Sequence, residues 1–147
     1  MTWRIDRLVG LPAGLPDLAG AAAAEGFRML DVLAREWAHG ETRFDRAGEA
    51  LFAAQDEAGR LLGIGGITRD PWADALRMRR FYVRPEARRS GVGRALALAG
   101  IAQARGAGVA LLRLRAPEAA FTFWQSLGFE VLPGDPQATH ALVLGRA

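Results

Sequence analysis

Apolar and polar positions recur along the chain with two periods, and these lay out its elements. In "WRIDRLV" (3–9), Trp3, Ile5 and Arg7 alternate with Arg4 and Asp6, the period of a strand. After the loop "GLPAGLP", Asp17 is placed to cap a short helix that runs through Ala24 and stops at Gly26. Phe27, Leu30, Leu33 and Trp37 then fall on one helical face, predicting a second helix from about Phe27 to His39 that Gly40 ends. "EALFAAQ" (49–55) and "RLLGIGGITR" (60–69) read as two strands around "DEAG", a hairpin signal. "DPWADA" (70–75) is a loop, and "LRMRRFYV" (76–83) is a strand that Pro85 helps to end. A helix from Gly91 to about Arg105 and a strand "GVALLRLRA" (108–116) follow. Pro117 suits the first turn of a helix reaching about Ser126. "FEVLPG" and "THALVLG" read as the last two strands, around "DPQA".

The order β-α-α-β-β-β-α-β-α-β-β predicts an α/β (α+β) fold, a mixed seven-stranded sheet flanked by about four helices, as one domain over residues 1–147. A chain of 147 residues can bury about 70% of its unfolded surface in one core and needs no metal or disulfide. The absence of cysteine excludes thiol catalysis, thiolate-bound zinc and a disulfide framework. No apolar run approaches a membrane span, and "MTWRIDRLVG" lacks the apolar stretch of a signal peptide. A soluble, cytoplasmic protein without a membrane partner is expected, as a monomer or a homodimer.

Charge narrows the ligand. The net charge is +3, and every one of the 19 Lys+Arg residues is arginine. Arg77, Arg79, Arg80, Arg84, Arg88, Arg89 and Arg94 crowd into one short segment, which points to an anionic ligand there. Nucleic acid is not expected, because so small a net charge argues against extended backbone binding.

That segment contains "PEARRSGVGRALALA" (85–99), a glycine-rich turn between a strand and a helix. The first amides of a helix lack internal partners, and its dipole favours negative charge. Arg89, Ser90, Gly91, Val92, Gly93 and Arg94 can therefore offer backbone donors to a diphosphate. Spacing alone equally permits a tight turn whose glycines serve only backbone geometry. A P-loop is excluded, since Arg94 and Ala95 follow Gly93 where lysine and a hydroxyl are needed. A dinucleotide fingerprint is excluded by Leu96 at its third small position.

The turn resembles motif A of the GCN5-related N-acetyltransferases, with Arg88, Gly91 and Gly93 after "FYVRPEA". "PEAAFTFWQSLGFEVL" is similar to motif B of that family, ending in Leu127, Gly128 and Phe129, and the hairpin "ALFAAQDEAGRLLGIGGIT" resembles its second and third strands. The resemblance spans essentially the whole chain. It implies transfer of an acetyl group from acetyl-CoA, the cosubstrate, directly to the amine of a small molecule or peptide. It further implies that the fourth strand splays from the fifth and offers Phe81, Tyr82 and Val83 to pantetheine. The diphosphate is then expected on the turn from Arg88 to Arg94, and an amide near Phe81 is expected to meet the developing oxyanion.

Two family positions differ. Trp124 stands where a tyrosine often serves as general acid, and indole cannot release a proton. Trp124 then packs in the core and against the thiol arm, or the acid role is left to water. Pro117 replaces a frequent asparagine at the start of the same helix. The candidate general bases are Asp70 and His140 first, then Glu49 and Glu118, each with a structural alternative as loop cap, core histidine, arginine partner or helix-dipole partner. Trp37, Arg43, Phe44 and Trp72 are the candidate acceptor-binding residues. The competing function is a CoA-binding sensor or regulatory module that kept the fold and lost turnover.

Overall fold

The predicted order of elements is the order found. The computed structural model describes residues 2–145; Met1, Arg146 and Ala147 of the predicted domain lie outside the described residues. The strands are β1 (Trp3–Leu8), β2 (Ala50–Asp56), β3 (Leu61–Arg69), β4 (Leu76–Val83), β5 (Leu111–Leu114), β6 (Glu130–Val131) and β7 (His140–Val143). The helices are α1 (Leu15–Ala24), α2 (Met29–Ala38), α3 (Val92–Gly106) and α4 (Phe121–Ser126). Short 3-10 turns occupy Pro85–Ala87 and Glu118–Ala120. The seven strands lie in the order β1-β2-β3-β4-β5-β7-β6, so β7 inserts between β5 and β6. Only β4 and β5 run parallel; the other pairs are antiparallel.

Helices cover both faces. On one, Leu18, Leu30 and Leu33 of α1 and α2 pack against Leu51, Ile64 and Tyr82. On the other, Ile101 and Ala104 of α3 and Trp124 of α4 meet Met78, Leu112 and Leu114, while Val92 and Leu96 cover Phe52 and Leu62. Each fully buried leucine contributes about 1.5–3 kcal/mol by leaving water. None of the described helices is long and apolar enough to cross a membrane.

Several boundaries depart from expectation. Pro117 precedes a 3-10 turn rather than lying in the first turn of α4, which starts at Phe121, and the sixth strand is shortened to Glu130–Val131. The first helix begins at Leu15 rather than at Asp17, with Gly14 at its N-cap and a proline in its first turn. Asp17 caps nothing; its carboxylate accepts a 2.7 Å bond from Arg84, which is 3% exposed and needs a countercharge. The second helix begins at Met29, and Phe27 instead tilts its ring onto Tyr82. The fifth strand is shortened to Leu111–Leu114 because it pairs with β4 at only two positions and with β7 at four.

Candidate active site: a split sheet and an open helix start

Although β4 has eight residues, it pairs with β5 only at Leu76↔Leu112 and Arg77↔Arg113. From Met78 to Val83 its β5-side edge has no strand partner. The split has a local cause. The register against β3 slips between Ile64 and Gly66, and Arg80 takes φ +62° at the slip. Such a bulge bends a strand and raises its twist. Gly65 of β3 makes room for it, since a Cβ there would lie 2.4 Å from the Phe81 ring; the next residue, Gly66, admits the Ala50 carbonyl and the Phe44 ring instead. The free edge thus includes Phe81, Tyr82 and Val83.

Trp124 walls this split. It is 6% exposed and meets the Phe81 ring edge-on at 5.2 Å, with Phe123 and Phe129 on its other sides at 4.9 and 5.5 Å. Tyr82 points to the opposite face of β4, where its hydroxyl donates to Glu25. Burial, helped by the Glu25 carboxylate, pushes its phenol up to about 12. The single tyrosine therefore lies on the face opposite Trp124 and the split.

At the end of β4 the chain makes the glycine-rich turn. Arg89 holds φ +66° and Gly91, the N-cap of α3, holds φ +86°. Ser90 donates its hydroxyl to the Ala87 carbonyl and so fixes the turn. Among the described residues, none of the amides from Arg89 to Arg94 donates to a backbone carbonyl. They converge on the start of a 15-residue helix. The two glycines differ in what they answer to. Gly91 is required by its φ. Gly93 has no such φ, and a Cβ there would make only ordinary contacts of 3.5–3.7 Å with Val83 and Phe123. Neither backbone nor packing demands a glycine at 93. Arg89 and Arg94 stand exposed beside these amides. Arg88 does not join them: it forms a bidentate pair with Glu25 and donates to the Val83 carbonyl.

On the α2 face, a cavity of about 410 Å³ lies between α2, the 40–49 loop and strands β3 and β4. Of the four predicted acceptor residues, Arg43 lines it, anchored by donating to the Trp37 carbonyl at 3.0 Å. Phe44 is 6% exposed and packs over Gly66 with φ +55°, so it supports the cavity from the core. Trp37 packs at the edge of the same core. Trp72 sits elsewhere, with its ring 5.2 Å from the Arg77 guanidinium. Sequence reasoning missed Glu36, Thr68 and Arg79 in the lining. A signal for Arg79 existed: Arg77 and Arg79 alternate with Leu76 and Met78, which puts arginines on the α2 face of a central strand.

Of the predicted bases, Asp70 and His140 are engaged in the core. The Asp70 side chain is fully buried, 3.4 Å from both Arg77 and Arg113, and it caps the Trp72 amide at 2.8 Å. Arg113 continues to Asp135 at 3.2 Å. This carboxylate lies between two buried guanidiniums, one on β4 and one on β5, and so joins the two strands at the base of the split. His140 has no exposure; it bonds Thr139 and Gln125 and lies edge-on to Phe121 at 4.7 Å. Burial pushes its imidazole below the usual histidine value, as befits a core residue. Glu118 is exposed in its 3-10 turn. Glu49 does line the cavity, where it accepts the Arg46 and Arg69 amides at 3.2 and 2.9 Å. Glu36 lines it too, 2.6 Å from Arg80 at the bulge.

Three non-glycine residues take positive φ among the described residues: Phe44, Arg80 and Arg89. One lies under the cavity, one at the split and one in the turn. Backbone strain of this kind, about 1–3 kcal/mol per residue, concentrates at functional sites.

Comparison with known proteins agrees with this geometry. Residues 47–131 match the family model of the acetyltransferase (GNAT) domain. A protein of Exiguobacterium sp. 255-15, classed as an acetyltransferase, is 32% identical; the likeness covers 97% of this chain and 94% of that one with a TM-score of 0.87. A GNAT-family N-acetyltransferase of Escherichia coli, solved in complex with CoA, is 18% identical with a TM-score of 0.70 over 99% of this chain and 84% of its own. An acetyltransferase of the GNAT family from Staphylococcus aureus Mu50 is 12% identical with a TM-score of 0.75 over 97% and 100%. At those last two identities the likeness is one of fold. No curated protein matches the sequence. The whole-length likeness at 32% identity, together with the domain match, shows that the chain belongs to the GNAT acetyltransferase family.

Proposed function

We propose that the protein transfers an acetyl group from acetyl-CoA directly to the amine of a small molecule or peptide. The observation that carries this is the continuity of two open hydrogen-bonding surfaces: the unpaired edge of β4 and the free amides from Arg89 to Arg94 that follow it. Pantetheine is an extended chain with amide groups, and an unpaired strand edge binds such a chain as it binds an added strand. A diphosphate suits the turn, where Gly93 leaves the approach clear and Arg89 and Arg94 add charge.

Acetyl-CoA supplies the activated acetyl group; the chain supplies placement and electrostatics. Backbone amides near Phe81 are donors for the charge that develops on the acyl oxygen. Phe81, Trp124 and Phe129 make a dry wall in which such donors act strongly. The amine approaches from the α2-side cavity and gives up its proton to a carboxylate there, Glu36 or Glu49, directly or through water. Trp124 donates no proton; a CoA thiolate leaves without one.

A second reading, a CoA-binding sensor, draws on the same tryptophan and on Tyr82 being turned away from the split. The two separate in one assay. Because the chain has no cysteine, a thiol reagent reports only released CoA. An enzyme releases CoA when an acceptor from a panel of amines, amino acids, aminoglycosides and peptides is added. A sensor binds acetyl-CoA and releases none.

A further inference from the structure

We infer, resting on the transfer proposed above, that the acceptor is a zwitterionic amino acid-like molecule whose carboxylate is held by Arg79 and Thr68 at the sheet side of the α2-side cavity. Among the described residues, two polar side chains on the sheet side of this cavity, neither of them exposed, have no protein partner. The Thr68 hydroxyl is buried, in a residue only 4% exposed, and makes no hydrogen bond. Left so, a buried hydroxyl costs on the order of its full desolvation, so a partner is expected. Arg79, partly buried on the neighbouring strand, likewise makes no hydrogen bond to a protein group among the described residues.

The sheet brings the two groups together. Thr68 faces Arg77 across the β3–β4 ladder, which makes Arg79 its diagonal neighbour on the same face. A hydroxyl beside a guanidinium fork is a donor set for a carboxylate. Burial and the adjacent Arg80 hold the Arg79 guanidinium below its ordinary value, and a bound anion relieves both effects.

The rest of the lining decides between an anion and a zwitterion. The cavity carries four carboxylates and four arginines, so its charge balances. Glu36, Glu41 and Asp45 repel a dianion such as a phosphate ester but welcome an ammonium group. A volume of about 410 Å³ suits a small molecule.

The test uses binding and turnover together. The protein, first shown to bind CoA, is titrated calorimetrically with the twenty protein amino acids, β-alanine and γ-aminobutyrate, each beside its carboxamide. At least one amino acid should bind, and its carboxamide should bind ten-fold or more weakly. The same amino acid should release CoA from acetyl-CoA. Arg79→Gln should weaken its binding by about 10–100-fold while CoA binding stays as in the parent. Thr68→Val removes a hydroxyl that holds nothing in the protein, so it should fold normally and weaken the amino acid about 3–10-fold. Equal binding of acid and carboxamide, binding unmoved in both variants, or no amino acid bound by a protein that binds CoA would each overturn this acceptor class. Turnover of carboxylate-free amines would then leave the transfer reaction standing. Failure of the parent to bind CoA would remove the transfer reaction and the acceptor class with it.

Discussion

The Arg88 guanidinium embraces the Glu25 carboxylate through two hydrogen bonds, the longer at 2.9 Å, and so ties the glycine-rich turn to the junction of α1 and α2. The same carboxylate accepts the Tyr82 hydroxyl, and the Arg88 fork lies 5.6 Å from the Tyr82 ring. The glycine-rich turn and the helices over the α2-side cavity thus share one cluster. Arg88, the first residue of the motif, spends its fork on this pairing.

Glu25 should make this cluster acid-sensitive. Its hydrogen bond from Arg88, then that from Tyr82, holds the carboxyl below its ordinary value of 4.5. A depressed folded-state value contributes stability that is present above the unfolded value and is lost as pH falls through the folded one. The stability difference between wild type and Glu25→Gln should be constant above about pH 5 and shrink below 4.5. Denaturant unfolding across that range checks it, and a difference that stays flat down to pH 3 would contradict it.

Tyr82 predicts the alkaline limb. Its phenol is raised to about 12, so the neutral form is favoured in the fold. The stability this adds is present below the unfolded value of about 10 and is lost as pH rises toward 12. With one tyrosine in the chain, ultraviolet titration reads this group alone. Tyrosinate should not form near pH 10 while the protein stays folded, and Tyr82→Phe should flatten the loss of stability between pH 10 and 12.

The two turn glycines should separate fold from ligand. Gly91→Ala puts a side chain at φ +86° and should destabilise by about 1–2 kcal/mol. Gly93→Ala lies in the first turn of α3 without such a φ and should leave thermal stability unchanged or slightly raised. It should nevertheless weaken CoA measurably in calorimetric titration. A Gly93→Ala protein that binds CoA as the parent does would remove the turn from the cofactor site.

Asp70 should prove structural. Removing its charge leaves Arg77 and Arg113 buried without compensation, a loss of roughly 3–5 kcal/mol. Asp70→Asn should therefore lower the denaturation midpoint at neutral pH. A variant with parental stability and a selective loss of turnover at neutral pH would restore the base role.

What was legible in the sequence followed local rules. The alternation in "LRMRRFYV", the glycine spacing at 91 and 93 and the helical face of Leu30 and Leu33 each depend on near neighbours. Pairings of distant charges did not show. Asp17 with Arg84, Glu25 with Arg88, and Asp70 with Arg113 join residues far apart in the chain, and only the sheet order brings them together. Nor did the burial of Asp70 and His140 show, because a titratable residue in a loop or strand carries no mark of it. Thr68 and Arg79 were missed for the reverse reason, since being without a partner is a property of the fold.

Direct acetyl transfer on an open turn is tested by CoA release from acetyl-CoA, followed with a thiol reagent across the amine panel. The wild type should release CoA only with an acceptor, matched by acetylated amine. Gly93→Val should lose that release, with its fold verified by circular dichroism. A wild type that binds acetyl-CoA yet releases no thiol with any acceptor, or release that persists unchanged in Gly93→Val, would contradict direct transfer on this turn.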